Sequence, residues 1–199
     1  MRAGDRASTR HRSTKETTVE VSLNLDGSGR TEVSTGLPFY DHMLDQLGRH
    51  GGFDLRVKAE GDLHVDSHHT VEDTAIVLGE AFAEAVGDKA GVRRFASGLY
   101  PLDEALVEVA LDLSGRPFFV WNVELPEAIP LGSPPFDPSL AEHALGSFAT
   151  SSAITLHVTL KHGRNVHHII EAAFKGVARC LRDAVRVEGV AIPSTKGSL

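Results

Sequence analysis

A single cysteine, Cys180, excludes an internal disulfide and any cysteine-rich zinc site. It stands among apolar neighbours on an apparent helix, where packing accounts for it. No apolar run is long enough to span a membrane, so no membrane partner is expected. Residues Met1–Ser13 carry Arg2, Arg6, Arg10 and Arg12 but not the apolar core of a secretory signal. That stretch is expected to be a disordered basic start, and the protein to be cytoplasmic. The net charge of −7 argues against nucleic acid as a partner, while leaving room for a local basic pocket. With 41% hydrophobic and 24% charged residues in 199, the whole chain has the composition of a globular protein.

What the chain does have is histidine, eleven in all, and a pattern that occurs twice. His68-His69-Thr70-Val71-Glu72-Asp73 is answered by His167-His168-Ile169-Ile170-Glu171. Each helical residue turns about 100°, so positions i and i+4 lie about 40° apart on one face. His68 and Glu72 can share one metal ion, as can His167 and Glu171. The second histidine of each pair points about 100° away and is better placed for a different ion. One such pattern is matched by ordinary solvated helix faces; its return argues for two metal sites.

The rest of the chain repeats too. Thr17 to Leu25 alternates polar and apolar residues like a strand. Asp26-Gly27-Ser28-Gly29 then predicts a hairpin turn into a strand over Arg30 to Ser34. Glu104 to Arg116 repeats this beginning, with Glu16 on Glu104 and Val19-Glu20-Val21 on Val107-Glu108-Val109. The spacing between halves is 88 residues at Glu16/Glu104 and 99 at Glu72/Glu171, the difference falling in a proline-rich insertion around Pro126 to Pro138. A helix opening at Asp41-His42 matches one at Glu142-His143. Strands follow over Phe53 to Ala59 and Ile154 to Leu160, then helices from about Thr70 to Val86 and Val166 to Val187. The fold expected is α+β, a tandem duplication of a strands-helix-strand-helix half. Its two mostly antiparallel sheets each have helices packed on one face. The segments are residues 14–92 and 93–190 within one integrated domain, then a tail over 191–199. Whether the halves pack face to face or side by side is left open.

Six histidines fall on matched positions, and with Glu72 and Glu171 they make eight ligands. Helix geometry and the pseudo-symmetry assign His68, Glu72, His143 and His168 to one ion, and His42, His69, His167 and Glu171 to the other. Nitrogen and oxygen donors without thiolate suit Mn, Fe, Co, Ni or Zn. Asp66 and Asp73 are expected to orient imidazoles. His11, His64, His157 and His162 lack partners, and His50 ends the first ligand helix where it could face a pocket. Near a metal pair Asp103, Glu104 and its mate Glu16 become candidate general bases. Arg94, Arg116, Lys175 and the tail Pro193-Ser194-Thr195-Lys196-Gly197 supply cations and hydroxyls suited to phosphate.

Gly36-Leu37-Pro38-Phe39-Tyr40-Asp41-His42-Met43-Leu44, Asp66-Ser67-His68-His69-Thr70-Val71-Glu72-Asp73, His167 to Lys175 and Pro193 to Gly197 together resemble the imidazoleglycerol-phosphate dehydratase family of histidine biosynthesis. The resemblance covers Arg12 to Leu199. It implies two Mn²⁺ per subunit, with other divalent transition metals admitted by the same donors, in a hollow homo-24-mer with active sites at subunit contacts. It also implies dehydration of D-erythro-imidazole glycerol phosphate to imidazole acetol phosphate. The proton lost has no neighbouring carbonyl to acidify it. Metals on the ring nitrogens would therefore stabilise an imidazolate able to expel the hydroxyl, leaving a diazafulvene-like intermediate. By resemblance Glu16 contacts the substrate and is the base, with Asp103 and Glu104 assisting. Gln46, Arg94, Arg116, Lys175, Ser194 and Lys196 hold the substrate, chiefly its phosphate. A binuclear hydrolase would use the same ligands but release inorganic phosphate. A metal-storing protein would need no phosphate clamp.

Overall fold

A computed structural model describes residues 6–126 and 129–195 of the chain. The first half runs β1 (Ala7–Ser13), β2 (Thr17–Asn24), β3 (Thr31–Ser34), α1 (Pro38–Gly51), β4 (Asp54–Gly61) and α2 (His68–Val86). The second runs β5 (Phe95–Leu102), β6 (Ala105–Asp112), β7 (Phe118–Asn122), α3 (Leu140–Ser151), β8 (Thr155–His162) and α4 (Val166–Ala184). Each half folds into a four-stranded sheet of matching order, β1-β2-β4-β3 and β5-β6-β8-β7.

Alternation decides which face is covered. Thr17, Val19, Val21 and Leu23 of β2 and Leu55, Val57 and Ala59 of β4 all turn inward and are buried. The helices of each half lie on that one face of its own sheet, α2 against β1 and β2, α4 against β5 and β6. Across the molecule α1 packs on α4 and α2 on α3, so the two helical layers meet face to face and the sheets lie outside. Phe82 and Phe148, with ring centroids 5.6 Å apart, join α2 to α3.

Two expectations are corrected. Ala7–Ser13 is an edge strand rather than disordered chain, paired antiparallel with β2 from Ala7↔Asn24 to Ser13↔Thr18. Its arginines find carboxylates that only the fold brings near: Arg10 pairs with Glu84 at 2.8 Å and Arg12 with Asp73 at 3.1 Å, both on α2. The Asp26–Gly29 turn, moreover, does not close a β2–β3 hairpin. The chain crosses β4, and β3 pairs parallel to it, a geometry for which α1 serves as the crossover. Asp54 at the start of β4 pins the turn, accepting from the backbone N–H of Ser28 (2.8 Å) and Arg30 (3.0 Å).

The proline-rich insertion contributes Phe136 to the core. Phe136 is fully buried, stacked on Tyr40 and 5.3 Å from the Phe39 ring. Pro135 accepts a 2.7 Å hydrogen bond from the Ser67 hydroxyl, one residue before His68. Among the described residues no helix is long and apolar enough to cross a membrane.

α2 and α3 approach closely at Gly79. A Cβ there would lie 2.7 Å from the Phe148 carbonyl oxygen and 2.7 Å from Ser151 Cβ. Gly79→Ala gains about 1 kcal/mol of helix propensity, but crowding a backbone that cannot rotate away costs about 1–3 kcal/mol. The variant should be less stable by about 1 kcal/mol, seen as a lower urea midpoint at unchanged slope and equal subunit concentration. A midpoint at or above wild type would mean that this helix contact is not tight.

Candidate metal centres

Helix α2 begins on the candidate ligand His68. Asp66 Oδ1 accepts from the His68 backbone N–H at 2.8 Å, satisfying a donor that the first turn leaves unpaired. One turn on, Glu72 lies 3.7 Å from His68 Nε2, and α3 brings His143 Nε2 to 3.4 Å from the other oxygen of Glu72. The His68 and His143 rings are 4.4 Å apart. The second half builds the mirror arrangement. Asn165 caps α4, accepting from the His167 backbone N–H at 2.9 Å. His167 Nε2 is 2.9 Å and His42 Nε2, from α1, 3.3 Å from Glu171 Oε2. Within His68/Glu72/His143 and within His42/His167/Glu171 the donor atoms all lie within 4.8 Å of one another. Each trio takes two donors from one half and the third from the other.

These donors fit a divalent transition metal. His143 Nε2 is buried and makes no hydrogen bond among the described residues, although a carboxylate stands 3.4 Å away. A buried polar atom left without a partner is costly unless an ion supplies one. An open cleft of about 670 Å³, lined by His68, Glu72, Phe119 and His143 among others, borders this first trio.

Electrostatics distinguish the carboxylates. Burial alone would raise the Glu171 carboxyl, but Lys175 at 2.6 Å, His167 and His42 outweigh it and hold the group at about 2. Glu104 is also held at about 2, first by His168 and then by the backbone N–H groups of Asn165 and Arg164. A carboxylate held so low is a poor proton acceptor.

The four-ligand sets expected from the sequence do not close within one chain. The His69 ring is nearly perpendicular to His68 (87°), and the His168 ring to His167 (80°), with 6.1 Å between centroids in both pairs. His69 Nδ1 instead meets Asp62 at 3.1 Å and His168 Nδ1 meets Glu104 at 2.8 Å. Glu16 stands 3.8 Å from His69 Nδ1 with an exposed carboxylate, and Asp103 is exposed 3.9 Å from His168 Nε2. Asp73 does not orient an imidazole. It accepts from the Thr17 hydroxyl and from Arg12, tying β1 and β2 to α2. Asp62 was not singled out from the sequence, since only the fold brings the end of β4 beneath α2.

The phosphate candidates lie apart from one another in sequence, but two are joined by structure. Arg94 makes a double ion pair with Asp112 (2.6 and 3.0 Å) and donates to the Pro193 carbonyl at 2.7 Å, anchoring the tail just before Ser194. The Ser194 backbone N–H donates to Ile192. Burial presses Lys89 below the usual lysine range; Asp112 opposes this, while Arg94 and Arg116 add to it. Lys89 thus shares the neighbourhood of both arginines, a cation that no motif marks in the sequence. Arg116 is exposed, its Nη1 donating to the Ser114 carbonyl at 3.3 Å. Gln46 is nearly buried between His42 (3.4 Å) and His50 (3.1 Å) rather than open to a ligand. Lys196 lies outside the described residues.

The model of the imidazoleglycerol-phosphate dehydratase family matches residues 35–181. The imidazoleglycerol-phosphate dehydratase of Acidothermus cellulolyticus is 57% identical over 98% of this chain and 93% of its own. That of Roseobacter denitrificans is 56% identical over 94% of this chain and 96% of its own. Among solved structures, the imidazoleglycerol-phosphate dehydratase of Staphylococcus aureus superposes with a TM-score of 0.80 at 32% identity, covering 89% of this chain and 97% of its own. The Pyrococcus furiosus structure, a complex with (S)-C348, gives 0.82 at 35% identity, covering 96% and 100%.

The depressed Glu171 carboxyl sets a pH dependence. A group lowered on folding contributes stability that is present above its ordinary value of 4.5 and is lost as pH falls toward about 2. In chelator-treated protein, Glu171→Gln should therefore flatten the acid limb of the thermal midpoint against pH over that window. Parallel curves for variant and wild type would remove Glu171 from the acid response.

Proposed function

The chain belongs to the imidazoleglycerol-phosphate dehydratase family, hydro-lyases of histidine biosynthesis, and on that premise we propose that it dehydrates D-erythro-imidazole glycerol phosphate to imidazole acetol phosphate in a metal-dependent reaction. The observation that carries the metal dependence is the pair of trios, each spanning both halves, with the Nε2 of His143 making no hydrogen bond among the described residues in one of them.

His68, Glu72 and His143 would hold one ion, and His42, His167 and Glu171 the other; Mn²⁺ is the ion we assign. Bound there, the metal supplies Lewis acidity to the ring nitrogens of an imidazole substrate. Glu16 takes the proton from the side-chain carbon next to the one that loses hydroxyl. The C–H electrons form the carbon–carbon double bond of an enol, which becomes the ketone. Among the described residues no hydrogen bond is made to the Glu16 carboxylate, which leaves it available as a base, whereas Glu104 is committed to three donors. Arg94, Arg116, Lys175, Ser194 and Lys196 would bind the phosphate, Arg94 also fixing the tail that carries the last two. Gln46 serves by steadying His42.

His69 and His168 face away from the trios of their own chain, which supports their use as ligands in neighbouring copies. The active sites then lie at subunit contacts of a homo-oligomer, for which we propose the hollow 24-mer, working in the cytoplasm.

Glu16→Gln preserves shape but removes basicity, so Mn²⁺ content should persist while turnover falls about 10²-fold or more. Ketone formation without release of inorganic phosphate is the expected product assay; phosphate release would identify a hydrolase. If ions tie subunits together, chelation should yield smaller sedimenting species that regain size and activity with Mn²⁺. Unchanged sedimentation after complete metal removal would place both centres within single chains.

A further inference from the structure

The two halves carry the same glutamate at the start of the same strand but use it differently. Glu104 is fully engaged. One oxygen accepts from the backbone N–H groups of Arg164 (3.1 Å) and Asn165 (2.7 Å), and the other lies 2.8 Å from His168 Nδ1. A carboxylate oxygen accepts, so the hydrogen in that contact sits on Nδ1, and in the neutral ring this leaves the Nε2 lone pair free. Its mate Glu16 is 3.8 Å from His69 Nδ1, beyond hydrogen-bonding range. Asp62 is there instead, its two oxygens 3.1 and 3.3 Å from the same nitrogen.

Loop length accounts for the exchange. Gly61 and Gly163 occupy equivalent places, because a Cβ on the first would meet Thr70 and on the second Ile169, and Thr70 and Ile169 follow the second histidine of each pair. Six residues, Asp62 to Ser67, separate the first glycine from its histidines, against three, Arg164 to Val166, in the second half. The short loop turns its backbone N–H groups onto Glu104. Among the described residues the longer loop makes no such bond to Glu16 and offers a side-chain carboxylate to His69 in its place.

We propose that Glu104 and Asp62 are positioning residues that hold His168 and His69 in the Nδ1–H tautomer with Nε2 presented as a ligand, and that Asp62, by taking this task in the first half, leaves Glu16 free to act as a base. The proposal rests on the metal centres assigned above and, for the part concerning Glu16, on the reaction assigned there. Duplicated glutamates have thus divided the labour, one steadying a ligand and the other meeting the substrate.

The test uses the full-length protein, stripped and reloaded with Mn²⁺. Asp62→Asn and Glu104→Gln should each weaken Mn²⁺ binding about 10–100-fold by direct titration, as loss of a ligand's carboxylate partner does. At saturating Mn²⁺ both should recover turnover to within a few-fold of wild type. Glu16→Gln should do the reverse, binding Mn²⁺ normally and staying slow at any concentration. Solid-state ¹⁵N spectra of histidine-labelled, stripped protein provide a readout that mere loosening of the loop would not move. Two histidines held as Nδ1–H in wild type should lose that signature, one in each variant. The Glu104 change touches two backbone N–H groups as well, so Asp62→Asn, whose carboxylate bonds only His69 among the described residues, is the independent check. Wild-type Mn²⁺ affinity with an unaltered tautomer in Asp62→Asn overturns the positioning role. Slow turnover of Glu104→Gln at saturating Mn²⁺ overturns the division of labour. A wild-type protein without dehydratase activity overturns the function and the share of Glu16, while affinity and spectra still decide Asp62 and Glu104.

Discussion

Helical spacing is the constraint on which the site depends. A carboxylate four residues after a histidine shares its face, and the histidine next to the first does not. On α2 this pairs His68 with Glu72 and turns His69 elsewhere; on α4 it pairs His167 with Glu171 and turns His168 elsewhere. Because α2 lies on α3 and α4 on α1, the third donor of each trio comes from the opposite half. Among the described residues each trio is gathered only across the two halves, and the second histidines belong to neither.

The remainder of the fold holds those four helices still. Sheets on the outside bury the alternating apolar faces of their strands against them. β1 clamps α2 through Arg10–Glu84 and Arg12–Asp73, and Phe136 of the insertion wedges beside Phe39 and Tyr40 on α1. Phe39 in turn lies 5.2 Å from the His167 ring, so the insertion supports the second trio from behind. Ser67, bonded to Pro135, ties the same insertion to the start of the first trio.

Much of this was legible in the sequence because it depends on local period. Histidine pairs at helical spacing, alternation in β2 and the recurrence of both revealed the duplication, the helices and the faces that carry the histidine–glutamate pairs. Long-range partners were not legible. The arginines of β1 look like a frayed terminus until α2 supplies Glu84 and Asp73. A Gly-rich turn after β2 has the chemistry of a hairpin, but the parallel partner of β3 lies across β4 and is selected by α1. Asp73 follows Glu72 and looked like a histidine partner; its place on the helix turns it toward Thr17 instead. Asp62, seven residues before His69, has no local signal, because the six-residue loop alone brings it back.

Anomalous diffraction at the manganese edge, on crystals of the Mn²⁺-loaded protein, tests most directly whether the trios are crossed metal centres completed by other copies. The account predicts two ions per chain, one on His68, Glu72 and His143 and the other on His42, His167 and Glu171. Each would be finished by His69 or His168 of a neighbouring copy. A single ion bound by both His68 and His69, or ions placed away from both trios, would contradict it.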